Sequence, residues 1–200
     1  MPLTSPSTSL SLIRRVQTND PRSWERLVQI YGPLVYRWCR RRGIDRHDAS
    51  DIMQDVFSAV SGSIDRFQSE QGQRSFRGWL YGITRFKMLD HFRQSMKRPD
   101  VIAGDVLDAT LEANVDADPY LDDPAGDRID AGIIIRQTLE LIRQEFTDVT
   151  WKAFWRTAVD KQSAPDVAAE LGLQPANVRQ IKRRVMKRLR DELDGLEPGI

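Results

Sequence analysis

Asn177, Arg179, Gln180, Arg183, Arg184 and Lys187 fall along one side of a helix by their spacing, with Arg179 at its edge. Amide and guanidinium groups in such a row form the paired hydrogen bonds that distinguish adenine and guanine in the major groove, and the cations also neutralise phosphates. The chemistry offered is recognition rather than bond making. The other side of the stretch is apolar, with Val178, Ile181, Val185 and Leu189 at three- and four-residue steps. Lys182 lies near that apolar side, so its stem is expected to run along it and not toward DNA.

Two further constellations could bind something. Asp51, Gln54, Asp55 and Ser58 share a side opposite Ile52, Val56 and Val60, with Met53 and Phe57 beside the apolar set. Such a face often meets only water; being acidic in a chain whose other helical faces are basic, it also suits a basic protein partner. Arg77, Tyr81, Thr84, Arg85, Met88 and His91 fall together opposite Phe76, Trp79, Leu80 and Ile83. Rings interleaved with cations fit a single strand, because bases stack on the rings while cations follow the backbone. A solvated face with one tyrosine and two arginines is the plainer account.

Catalysis has little to work with. The acids are concentrated in one run without metal-ligand spacing, and no nucleophile is set beside a base. Cys39 is the sole cysteine, which excludes an intramolecular disulfide and a cysteine zinc site, and His47 and His91 are far apart in sequence. No metal and no other cofactor is expected. There is no apolar run long enough to span a bilayer and no signal-peptide core near the start, so a cytoplasmic protein without membrane insertion is expected.

The elements that must position these residues are all helical. Ser163 with Asp166 three residues on, and Pro165 in the first turn, mark a helix start; Gly172 supplies the residue that can end it at positive φ. Pro175 opens the basic helix, and the pair is a helix-turn-helix. Trp151, Phe154, Trp155 and Ala158 form a stripe of the same small domain, the tryptophans being read as core. Upstream, Asn19 or Asp20 before Pro21 starts a helix whose apolar face runs from Trp24 through Leu27 and Tyr31 to Trp38 and Cys39. Arg37, Arg40, Arg41 and Arg42 crowd its end, where capping of the helix dipole competes with DNA contact as the explanation.

Charge divides the chain more sharply than its net +1 suggests. Residues 99–127 hold nine acids and no Lys or Arg, whereas residues 74–98 hold seven basic residues against Asp90. The expectation is an all-α protein of two small helical domains, 19–98 and 130–195, joined by an acidic linker over 99–129 after a mobile segment at 1–18. Like charge would extend the linker, keep it off DNA, and let it stand in for nucleic acid against the basic surfaces until displaced.

This layout resembles that of the bacterial extracytoplasmic-function sigma factors, across nearly the full length. Asp51-Ile52-Met53-Gln54-Asp55-Val56-Phe57 is similar to the acidic helix with which that family grips the clamp helices of core RNA polymerase. Phe76-Arg77-Gly78-Trp79-Leu80 followed by Thr84-Arg85 is similar to its minus-ten helix. Thr150 to Trp155 and Val167 to Gly172 look like the versions in planctomycete-type members. Two departures are Phe86, where Asn is common, and Gln174, where a capping Ser is common.

The resemblance implies a non-enzymatic subunit partnered by core RNA polymerase and promoter DNA, and in many members by an anti-sigma factor. Asp51, Gln54, Asp55 and Phe57 would bind core polymerase. Arg77, Tyr81, Thr84, Arg85 and Lys87 would bind the minus-ten element, and the loop from Gly62 to Ser75 would capture an unstacked base. Asn177, Arg179, Gln180, Arg183, Arg184 and Lys187 would read the minus-thirty-five duplex. A stand-alone helix-turn-helix regulator is the nearest alternative, and a DNA-processing enzyme the more distant one.

Overall fold

The structure is a computed structural model that describes residues 12–67, 76–96 and 124–193. Among these the regular secondary structure is helical throughout: α1 (Leu12–Gln17), α2 (Pro21–Arg41), α3 (Arg46–Ser61), α4 (Phe76–Met96), α5 (Pro124–Ile142), α6 (Asp148–Ala158), α7 (Ala164–Leu171) and α8 (Pro175–Leu193), with short 3-10 turns at Ile64–Arg66 and Arg143–Glu145. The all-α class follows directly. None of these helices is long and apolar enough to cross a membrane.

The chain divides into two compact units, residues 27–134 and residues 1–26 with 135–200, so α2 and α5 each supply residues to both. In the first, α3 packs along α4. Asp45 caps α3, its carboxylate accepting from the Asp48 N–H at 2.9 Å and held below the usual carboxylate range by that bond. Such a cap stabilises a helix by about 1 kcal/mol. The core is built from α2 (Ile30, Tyr31, Leu34, Val35), α3 (Ile52, Val56, Val60) and α4 (Phe76, Leu80). Tyr31 meets Phe76 edge-on at 4.9 Å, and Phe67 meets the same ring at 5.5 Å, so Phe67 does anchor the segment after α3. Residues 68–75 of the expected base-capturing loop lie outside the described residues.

In the second unit, Thr147 caps α6 and Ser163 caps α7, and Gly172 ends α7 at φ 65°. No neighbouring atom lies within 4 Å of where a Cβ would stand at Gly172, so backbone conformation alone calls for glycine there. Ala153, Val167, Ala168 and Val178 close the core of the helix-turn-helix, flanked by Leu171, Leu173 and Ile181.

Four expectations are corrected. Residues 12–17 of the segment expected to be mobile are helical, because Leu12, Ile13 and Val16 make an apolar face that is buried. The expected linker ends earlier, since α5 begins at Pro124; the remainder, residues 99–123, lies outside the described residues. Trp155 is 38% exposed and Trp151 half-buried, while Thr150, Ala153, Phe154 and Thr157 form the buried stripe of α6. On α4, Phe76 and Leu80 are buried as expected, but Tyr81, Thr84 and Met88 are buried with them while Trp79 and Ile83 are only half so, which turns the inner face toward residues expected outside.

Candidate nucleic-acid and protein-binding surfaces

Asp51, Gln54 and Asp55 stand exposed on α3, on the side away from Ile52 and Val56. Phe57 is 6% exposed, so it holds α3 in the core and does not share that outer face. Period explains the difference: Phe57 follows Val56 and adjoins the stripe Ile52, Val56 and Val60. His47 Nδ1 lies 3.2 Å from Asp51 Oδ2, and His91 Nε2 of α4 lies 3.4 Å from Asp48 Oδ2. Ligand atoms of His47, Asp48 and Asp51 thus come within 4.8 Å of one another, a proximity between residues 47 and 51 that one helical turn produces. These side chains are exposed or partly so, as polar contacts at a helix start commonly are.

The α4 face is less uniform than its sequence suggests. Tyr81 packs edge-on against Trp38 at 5.0 Å, and its hydroxyl accepts from Arg42 Nη2 at 3.4 Å. Thr84, fully buried, donates to the Leu80 carbonyl at 2.8 Å. Neither side chain presents a ring or hydroxyl to the outside. Apolar residues are spread around most of α4, so a single stripe does not describe it. Arg77, Arg85 and Lys87 keep partial exposure, and Phe86 between the last two is 58% exposed. Arg77 also faces the start of α5: its Nη2 lies 3.4 Å from Asp127 Oδ1, and its Nη1 donates to the Asp127 carbonyl at 3.3 Å.

The arginines at the end of α2 have structural partners. Arg40 donates to the Ile44 carbonyl beyond the helix, and Arg37 Nε pairs with Asp130 Oδ1 at 3.3 Å. Asp130 also accepts from the Trp38 indole N–H at 2.8 Å and is 7% exposed. Contacts within the protein therefore engage Arg37, Arg40 and Arg42. Cys39 beside them is buried, and burial pushes its thiol up to about 11, an inert side chain.

On α8 the row expected to face DNA is exposed throughout: Asn177, Arg179, Gln180, Arg183, Arg184 and Lys187. Val178, Val185 and Leu189 opposite are buried. Two members have neighbours in their own unit. Arg184 lies 5.6 Å from the Phe146 ring and 3.5 Å from the Thr150 hydroxyl, and Lys187 Nζ is 2.8 Å from Asp191. Lys182 behaves as its angle implied, its Nζ donating to the Thr157 carbonyl at 3.3 Å.

Periodicity did not single out Glu192. It is 1% exposed, with Arg26 Nε and Arg188 Nη1 each 2.7 Å from its oxygens and Arg15 at 3.9 Å. Arg188 reaches on to Glu145 at 2.6 Å. Burial disfavours the Glu192 charge, yet the hydrogen bonds and charges of Arg188 and Arg26 outweigh it and hold the carboxyl below its ordinary value of 4.5. The only sequence signal was a Glu adjoining the apolar stripe that ends at Leu193.

Residues 27–98 match the Sigma-70 region 2 family. The chain is 33% identical over 115 residues to the RNA polymerase sigma factor NccH of Alcaligenes xylosoxydans xylosoxydans, covering 56% of this chain and 60% of that one. It is 28% identical over 175 residues to the ECF RNA polymerase sigma factor SigE of Mycolicibacterium smegmatis, covering 86% of this chain and 62% of that one. The chain thus spans about three fifths of the length of both. To the ECF RNA polymerase sigma factor SigW of Bacillus subtilis it is 25% identical over 189 residues, covering 92% of this chain and 96% of that one.

Proposed function

We propose that this chain, whose residues 27–98 match Sigma-70 region 2 and which is similar to several RNA polymerase sigma factors, is an extracytoplasmic-function sigma factor that directs promoter-specific transcription initiation. It binds core RNA polymerase, recognises a minus-thirty-five duplex and a minus-ten element, and stabilises the melted strand. The polymerase supplies the chemistry, so the chain works in the cytoplasm and is no enzyme.

The observation that carries this reading is the outward acidic face of α3, Asp51, Gln54 and Asp55, on a helix anchored by Phe57 within the matched region. Charged groups left exposed on a rigid helix give an interface specificity and a fast approach to a basic partner. The Phe57 ring contributes by fixing the helix and not by contact. Arg77, Arg85 and Lys87 take the minus-ten strand's phosphates, with Tyr81 and Thr84 supporting α4 from within. The exposed row on α8 reads the minus-thirty-five duplex through Asn177, Arg179, Gln180 and Arg183, and Arg184 and Lys187 add phosphate contacts. Core and minus-ten binding fall to the unit 27–134, and minus-thirty-five binding to the helix-turn-helix of α7 and α8. An anti-sigma factor would act by covering the same faces. The planctomycete-type subgroup rests on Thr150 to Trp155 and Val167 to Gly172 alone.

Binding of the full chain to core polymerase, with and without Asp55→Arg, tests the assignment. Loss of core binding in the variant with duplex binding kept is the expected result; equal core affinity in both proteins overturns it.

A further inference from the structure

Arg77, a minus-ten candidate, makes two contacts to a single acidic residue. The guanidinium meets Asp127 twice, at the carboxylate (3.4 Å) and at the backbone carbonyl (3.3 Å). Asp127 lies in the first turn of α5, at the end of the acidic stretch, and is itself exposed. One turn further on, Asp130 is buried and held by the Trp38 indole N–H at 2.8 Å and by Arg37 at 3.3 Å. Helix-dipole stabilisation accounts for an acid in a first turn, but it does not call for a carbonyl turned to the same arginine or for a buried carboxylate on an indole. A carboxylate beside a guanidinium occupies the place that a phosphate oxygen would take.

We propose that the first turn of α5 is an intramolecular competitor for nucleic acid at Arg77. Asp127 holds the guanidinium in place of a backbone phosphate, Asp130 fastens the turn to Trp38 and Arg37, and a strand engages α4 fully only when Asp127 lets go. This rests on the reading of Arg77 as a strand-binding residue. The hold is light by design of its exposure: the Arg77 and Asp127 side chains retain 22% and 50% of their surface to solvent, so the contact delays binding without forbidding it.

The test is equilibrium anisotropy of a fluorescein-labelled single-stranded DNA titrated with the full chain, in four proteins: wild type, Asp127→Asn, Arg77→Gln and the double variant. Asp127→Asn is expected to tighten binding about threefold when Arg77 is present and to change nothing when it is Gln, because a solvent-screened ion pair is a weak competitor that acts only through its partner. An equal gain in both backgrounds means that removing any negative charge suffices and overturns the competitor. No gain in either overturns it as well. Arg77→Gln alone is expected to weaken binding severalfold; if it does not, the reading of α4 fails, an outcome separate from failure of the competitor. Asp130→Asn, which keeps an acceptor for Trp38 and loses the charge facing Arg37, is expected to give a smaller gain of the same sign. Its absence beside a gain from Asp127→Asn removes the fastening role.

Discussion

Gln180 and Arg183 stand exposed on the first half of α8, the helix proposed to read base edges, whereas Arg184 lies by Phe146 and Thr150. Gln180→Ala or Arg183→Ala should therefore cost about tenfold in affinity for the preferred duplex and relax the preference at one position. Lys187→Ala should weaken all duplexes alike and lower the salt dependence, since a lysine reads charge and not sequence. Competition titrations against altered duplexes separate the two patterns. Glu192 makes a different kind of statement. Its carboxyl is held below 4.5, so the stability it contributes is present above that pH and is lost as pH falls through the lower folded value. Glu192→Ala should cost about 2 kcal/mol, less than a fully enclosed pair because its arginines keep 28–30% of their surface to solvent. Glu192→Gln should in turn lose less stability than wild type as pH falls below 4.5, as urea titrations at each pH would show.

At the scale of elements, the helix-turn-helix was legible because several local signals agree there. Ser163, Pro165, Asp166 and Gly172 each occupy the position that their chemistry favours, and α8 has one apolar side. Gly172→Ala is expected to lower stability by about 1 kcal/mol, purely through its φ of 65°, and Gly172→Asn by less, because Asn tolerates left-handed backbone. Equal stability of the alanine variant in urea denaturation would contradict the role given to that turn. Helices with several apolar sides were harder to read. On α4 the rings of Tyr81 and Trp79 and the hydroxyl of Thr84 leave the choice of inner face open, and packing against Trp38 settles it for Tyr81. On α6 the bulk of Trp155 suggested core, yet the smaller Ala153 and Thr157 beside Phe154 are the residues that fit inside.

Across the whole molecule, charge segregation marked off an acidic stretch in the sequence, but it could not show that the end of that stretch, from Pro124, is helical. Asp127 reads as a linker acid and Asp130 as the first residue of the second domain, and only their spatial neighbours Arg77, Arg37 and Trp38 reveal them as partners of α2 and α4. Long-range ion pairs of this kind leave no periodic trace in a sequence. The same holds for Leu12, Ile13 and Val16, whose short apolar face follows a Ser/Thr/Pro-rich start. The central claim is that the chain confers promoter choice on a polymerase that lacks it. Transcription of a fragmented genomic library by core RNA polymerase, with and without the full chain, measures this directly. The expected result is a discrete set of start sites, present only with the chain and preceded by one shared pair of sequence elements. Identical transcripts in both reactions, with core binding verified, would contradict it.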